Sequence, residues 1–304
     1  MRTRRWITGI APAVISFCAL TGCGTSQISA IEISSAQAVH VTSSQTPNVH
    51  RVVALANGAA EIISALGLRE ILIGRDIAST DADLKSIPIV TSGHQVIPEK
   101  IISLHPDLVI IDKSTGPQSA LDSLRIAGIR VVQTPEAWTL ADIPSKVIAI
   151  AKAIGVEQTG AQLVRAMVLP NVSDSVLAKK RIAFLYLRGG SAIYLIGGKG
   201  SGADSLISAI GAVDVGALKL RNPFNALTSE EIVSLNPDVI LVMTKGLQSV
   251  GGVSGLIALP GVAQTDAGNY KRVIAVDDSL LLSFGPRTPD LLKKLSAAVQ
   301  KVSP

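Results

Sequence analysis

Cysteine is nearly absent. Of 304 residues only Cys18 and Cys23 carry a thiol, and both fall in the first 23. Arg2, Arg4 and Arg5 precede a mostly apolar run, Trp6 to Leu20, which leads into Leu20-Thr21-Gly22-Cys23. The run is short for a bilayer-spanning helix, so export and cleavage are expected, with 1–22 removed as a lipoprotein signal peptide. Small residues before a Cys make Cys23 the expected lipidated first residue. A chain so processed keeps no thiol for a nucleophile, a disulfide or a Cys-ligated cluster.

Excess charge of one sign is also missing. The 28 Lys and Arg lose three Arg with the signal, leaving 28 − 3 = 25 against 23 Asp and Glu. The basic balance is thus largely a property of the signal, and nucleic acid is not an expected partner. Aromatic residues make up 3% of the chain, and Trp138 is the one tryptophan left after processing. No His-x-x-Glu zinc motif and no Gly-x-Ser-x-Gly elbow occur, so an enzyme is not expected. The run Gly197-Gly198-Lys199-Gly200-Ser201-Gly202 lacks the order and spacing of a phosphate loop. It reads instead as a turn into a helix whose N-terminus faces ligand carboxylates.

What is present is a distant internal repeat. Pro98-Glu99-Lys100-Ile101-Ile102-Ser103-Leu104-His105-Pro106-Asp107-Leu108-Val109 returns as Ser229-Glu230-Glu231-Ile232-Val233-Ser234-Leu235-Asn236-Pro237-Asp238-Val239-Ile240. Each copy reads as a short helix stopped by Pro and followed by an apolar strand. A repeat this far apart indicates two lobes of similar build, not a solenoid. The exchange of His105 for Asn236 points to a structural hydrogen-bonding role there.

Residues 23–50 are rich in Ser, Thr, Gln and Ala without a sustained period and read as a flexible tether. From Arg51, short apolar strands alternate with helical spacing: Arg51–Leu55, Ala59–Leu66, Ile71–Gly74, Leu108–Ile111 and Arg130–Val132. That alternation predicts a doubly wound α/β lobe over 51–138, its parallel sheet covered on both faces. Residues 139–180 carry helical spacing through Ile143, Val147, Ile150 and Ile154, then Leu163, Val164 and Met167, and predict a helical linker. Pro170 is expected to kink or break it, because proline lacks the N–H and clashes with the preceding turn. A second α/β lobe is expected over 181–304, with a ligand cleft between the two.

His94 follows Gly93 just before the first repeat helix, where an imidazole is either a plain polar loop residue or a ligand aimed at the cleft. Tyr186 and Arg188 lie two apart at the C-terminal end of a strand, hence on one face. That is the end of a parallel sheet where α/β proteins hold ligands. A guanidinium beside a phenol favours the phenolate, a good ligand for ferric iron; strand-end packing is the other reading. Tyr194 is the rival, being near the Gly-rich loop. Arg287 and Lys199 are candidate contacts for ligand carboxylates. Glu99 and Glu230 hold equivalent places in the repeats, where a helix N-terminus favours carboxylates.

The lipoprotein signal, the two lobes and the helical linker, with Ser92-Gly93-His94, Leu104-His105-Pro106-Asp107, Phe184-Leu185-Tyr186-Leu187-Arg188-Gly189-Gly190 and Ser283-Phe284-Gly285-Pro286-Arg287-Thr288, resemble cluster-A (class III) substrate-binding lipoproteins of ABC importers. Within them the chain is most similar to haem-binding proteins of the HmuT type. The resemblance covers about Arg51 to Val302. It implies a monomeric, extracytoplasmic receptor, lipid-anchored to the cell membrane, that binds ferric haem in the inter-lobe cleft. His94 and Tyr186 would be its axial ligands, with Arg188 as the partner of the tyrosine. Glu99 and Glu230 would dock on a permease that works with its ATPase. The alternatives are a ferric siderophore or a corrinoid on the same fold, or an exported metallocofactor-processing enzyme. Sparse aromatics favour haem over the first two.

Overall fold

The computed structural model describes residues 30–93, 95–172 and 177–302. Val52–Ala54, Leu72–Arg75, Leu108–Ile111 and Arg130–Gln133 form one sheet, with Val52–Ala54 and Leu108–Ile111 in the middle and every pairing parallel. Its two central strands are wholly buried. Their unbroken aliphatic runs follow from having both faces covered.

The second sheet is larger and mixed. Ile31–Ile33, Val273–Val276, Val239–Met243 and Arg181–Arg188 lie side by side in parallel, and Val213–Asp214 pairs with the start of Arg181–Arg188. Ile193–Gly197 and Phe224–Ala226 then add antiparallel to the far side. The second lobe therefore repeats the α/β plan without copying the all-parallel sheet of the first.

Two expectations are corrected. The stretch 23–50 is not a free tether from residue 30 onward: Ile31–Ile33 is an edge strand of the second sheet. Beyond it, the Val39 N–H donates to Pro286 O, that of Val41 to Ala65 O and that of Asn48 to Ile154 O. This strap thus touches both lobes and the linker. The linker is also not one helix bent at Pro170. It breaks earlier, at Gly155 (φ 83°), into Ile143–Ile154 and Glu157–Ala166. A left-handed residue after a last-turn Lys152 is an ordinary helix stop, and glycine adopts it without Cβ strain. The two helices pack so closely that a Cβ on Gly160 would lie 2.5 Å from the Ala151 Cβ.

The repeat shows why its residues recur. The helices Pro98–Ser103 and Ser229–Leu235 end at His105 (φ 48°) and Asn236 (φ 39°), both left-handed. Asn and His tolerate that region better than most side chains. Arg51 donates to His105 O and Leu104 O; Arg181 donates to Asn236 O and Leu235 O. Asp107 accepts the Arg51 N–H as Asp238 accepts that of Arg181. The same guanidinium cap on orphan helix carbonyls is built twice.

Among the described residues, buried apolar side chains fall into three clusters. One lies under the far face of each sheet. The third joins Val52, Ala54, Leu108 and Ile110 of the first lobe to Val147 and Ile150 of the linker and to Phe184, Leu241 and Ile274 of the second lobe. The lobes thus share one core, which favours small relative motions over wide hinge opening.

Candidate functional site

Along Arg181–Arg188 side chains alternate, so Ile182, Phe184 and Tyr186 face the shared core while Ala183, Leu185 and Leu187 face the second lobe's own cluster. Tyr186 is half-buried and meets Phe224 edge-on, with ring centroids 5.7 Å apart. The Arg188 guanidinium carbon lies 4.5 Å from the centre of the Tyr186 ring. Two residues that sequence spacing put on one face are therefore stacked, with the cation on the aromatic face where the ring quadrupole attracts it. Arg188 also donates to Leu187 O at 2.9 Å and to Asp278 Oδ2 at 3.4 Å.

Tyr194 is on the other side of the sheet. It pairs with Leu187, whereas Tyr186 pairs with Leu195, and it packs on the cluster away from the first lobe. Cross-strand partners share a face, so the two tyrosines cannot serve one site.

From the first lobe, Thr91–Ser92 and Gln95–Val96 form an antiparallel hairpin with Gly93 at φ 57°. It is tied to the C-terminal edge of the first sheet by the Arg75–Ile89 bridge and by Val96 N–H to Gly116 O. His94 and Cys23 lie outside the described residues. Glu99 and Glu230 are exposed in the first turns of their helices, one per lobe.

Arg287 is not free for a ligand, which corrects its expected role. It is 7% exposed. Its guanidinium pairs with Glu61 at 3.0 Å and with Asp81, both in the first lobe. Its own N–H donates to Glu61 as well. Lys199 is exposed, but the Gly-rich turn does not offer its amides outward: Gly200 and Gly202 N–H donate to Asp204 at 2.8 and 3.0 Å. The chain's own carboxylate fills the anion position.

Several groups escaped sequence reading. Lys146, 2% exposed, reaches from the linker to donate to Ser283 O at 2.7 Å. Burial pulls its ammonium down to about 8, although Glu61 and Asp112 oppose this. Its signal was a lysine in the apolar stripe Ile143, Val147, Ile150. Phe284, 1% exposed and left-handed at φ 44°, sits in the same seam and stores backbone strain. A cavity of about 410 Å³ lies beside Arg287, walled by Glu61, Asp81, Asp277 and the strap, and Tyr186 and Arg188 do not line it. The tyrosine–arginine pair, not this cavity, carries chemistry suited to a ferric ligand, because the cavity's buried Arg287 is engaged by Glu61 and Asp81.

Comparison with known proteins decides the family. A model described as periplasmic binding protein matches residues 52–280. The chain belongs to the periplasmic binding protein family. A Bacillus subtilis (strain 168) relative, named as the uncharacterized ABC transporter substrate-binding lipoprotein YvrC, is 26% identical over 302 residues and 92% of each chain. Among solved structures, the apo form of a periplasmic heme-binding protein, RhuT from Roseiflexus sp. RS-1, is 35% identical with a TM-score of 0.77, over 83% of this chain and 98% of that one. The heme binding protein HmuT is 32% identical with a TM-score of 0.73, over 90% and 94%. HmuT has also been solved with a histidine, a tyrosine or the arginine two positions after that tyrosine changed to alanine. The periplasmic binding protein fold with two α/β lobes is thus established, and with it a substrate-binding role outside the cytoplasm.

Proposed function

We propose that this chain is the lipid-anchored receptor of an ABC importer and binds ferric haem in the cleft between its lobes. The observation that carries the reading is the Tyr186 ring under the Arg188 guanidinium, on the sheet face shared with the first lobe. A phenolate is a strong donor to ferric iron, and an adjacent cation stabilises its charge. The haem-binding relatives support this, above all the HmuT variants at a tyrosine and at the arginine two places on. His94 supplies the opposite axial ligand from the first lobe, next to the hairpin described above. The porphyrin is held by iron ligation and by burial of its apolar faces, and is passed intact to the permease. Glu99 and Glu230 dock on that permease, one from each lobe, and its ATPase drives uptake. Cys23 carries the lipid, and the receptor acts as a monomer of two lobes, 51–138 and 181–304, joined through 139–180, with the strand Ile31–Ile33 added to the second lobe's sheet.

The test is an absorption titration of the processed chain with ferric haem, with Trp138 fluorescence followed in parallel. A saturable one-to-one Soret change, altered in His94→Ala and Tyr186→Ala, is the expected result. No saturable change overturns the haem reading and directs the search to ferric siderophores and corrinoids.

A further inference from the structure

The two repeat helices, Pro98–Ser103 and Ser229–Leu235, share more than their caps. Most of what recurs in them has a structural reason. Ile101 and Ile232 are buried in the outer clusters of their lobes. Asp107 and Asp238, after the prolines that stop the helices, accept the Arg51 and Arg181 N–H groups. Ser103 donates back to Lys100 O within its own helix.

Two recurring positions have no such reason. Glu99 and Glu230 are exposed and, among the described residues, neither makes a hydrogen bond or an ion pair. Three places on, Ile102 and Val233 are each 37% exposed. One exposed aliphatic residue on a surface is ordinary. Here the exposure recurs at equivalent places in two lobes, and β-branched side chains are poor helix formers where no packing holds them. Positions three apart on a helix are surface neighbours. Each lobe therefore presents one acid beside one aliphatic side chain.

The adjoining charges do not recur. Lys100 stands where the second lobe has Glu231, so the first patch is locally neutral and the second doubly acidic. Charge alone would draw a basic partner to the second lobe and leave the first slack. The aliphatic side chain is what the two patches share besides the acid. Their separation is held by the common core and by the Arg287–Glu61 pair across the seam. Two like patches at a set spacing fit a partner with two like halves, each offering a cation next to an apolar shelf.

We propose, resting on the docking reading above, that Ile102 and Val233 are docking residues, each seated on an apolar shelf of one half of the permease beside the cation that meets Glu99 or Glu230. The acids steer the encounter and the aliphatic pair slows departure. Burying what remains exposed of each side chain contributes about 10-fold in affinity.

The experiment expresses the full chain in source cells whose own copy is deleted. Ile102→Cys, Val233→Cys and a control, Val168→Cys on the exposed end of the linker, each add the only free thiol to the processed receptor. Each is labelled from outside with benzophenone maleimide, illuminated and purified, and the captured protein is identified by mass spectrometry. Positions 102 and 233 are expected to capture the same multi-spanning permease polypeptide, and position 168 is not. Capture of no permease at 102 and 233, or equal capture at 168, overturns the proposal. Uptake of labelled ferric haem is measured in parallel. Ile102→Gln and Val233→Gln, which keep bulk and helix propensity, are each expected to cut uptake about 10-fold, and the double variant further. Haem titrations and melting temperatures of the purified variants should match the wild type. Wild-type uptake in the double glutamine variant, with uptake lost in Glu99→Gln combined with Glu230→Gln, overturns the proposal and leaves the docking reading standing. Wild-type uptake in both double variants defeats the docking reading and this inference with it. A wild type that takes up no haem defeats the haem reading instead, and capture at 102 and 233 still decides the docking.

Discussion

The Arg287 guanidinium of the second lobe lies 3.0 Å from the Glu61 carboxylate of the first, and its backbone N–H meets the other oxygen of the same carboxylate at 3.0 Å. Both side chains are less than a tenth exposed. Removing Arg287 strands the Glu61 and Asp81 carboxylates in a low-dielectric seam, at a cost of about 3–5 kcal/mol, whereas removing Glu61 leaves Arg287 paired with Asp81. Arg287→Ala should lower the unfolding free energy by that order, and with it the urea midpoint, and Glu61→Ala should lower both by less. Replacing both with aliphatic residues of similar volume should recover much of the loss. Midpoints unmoved by either single change would rule out this pair as a tie between the lobes.

The same seam makes stability depend on pH. Burial, and then the Glu61 charge, push the Asp81 carboxyl up to about 6 although Arg287 opposes them, because one guanidinium serves two carboxylates. Burial also pushes Asp214 up to about 6, and its Oδ2 has no partner. A raised folded value means that the native state binds the proton more tightly. The favourable contribution is then full below the ordinary value of 3.8 and lost as pH rises through about 6. Lys146 behaves in the opposite sense: its cost is present below about 8 and is relieved as pH climbs toward 10.5. Against wild type, Asp214→Asn should therefore gain relative stability between pH 4 and 6, and Lys146→Met should gain most at neutral pH and less in alkali. Denaturation curves across that range measure both differences, and parallel wild-type and variant profiles would contradict the assignments.

Much of this was legible in the chain, for identifiable reasons. The repeat around Pro106-Asp107 and Pro237-Asp238 announced two lobes, and alternation along Phe184 to Arg188 put Tyr186 and Arg188 on one face. The direction of Ile193–Gly197 was not legible, since a period of two is the same for parallel and antiparallel strands. Ile31–Ile33 escaped because three residues in a Ser- and Ala-rich context carry no period. The tie from Glu61 to Arg287 spans 226 residues, a separation that local pattern does not encode. The helix break at Gly155 was within reach, because Lys152 and a following Gly form a stop signal; the proline further on drew attention away from it.

The duplicated caps give a prediction with an internal control. Arg51 and Arg181 each donate to two carbonyls at the end of a repeat helix, and hydrogen bonds from a charged donor contribute about 1–2 kcal/mol when solvent competes. Arg51→Ala and Arg181→Ala should destabilise by that order, with Arg181→Ala the larger because Arg181 is half-buried and Arg51 exposed. Thermal melts decide it, and the reverse ranking would show that the caps are not equivalent.

The last prediction concerns the two tyrosines. Tyr186 and Tyr194 occupy adjacent strands and would be hard to tell apart by sequence, yet their rings lie on opposite faces of one sheet. A ligand held in the cleft reaches the face shared with the first lobe. A tyrosine on the other face is separated from it by the sheet, whose strands leave no gap wider than their spacing of about 5 Å. Tyr186→Phe should therefore abolish the iron–phenolate absorption and speed haem loss, with little effect on stability because the ring still packs on Phe224. Tyr194→Phe should leave both the spectrum and the haem off-rate at wild-type values. Loss of the signature in Tyr194→Phe with retention in Tyr186→Phe would mean that the ligand sits on the outer face, against the helices of the second lobe.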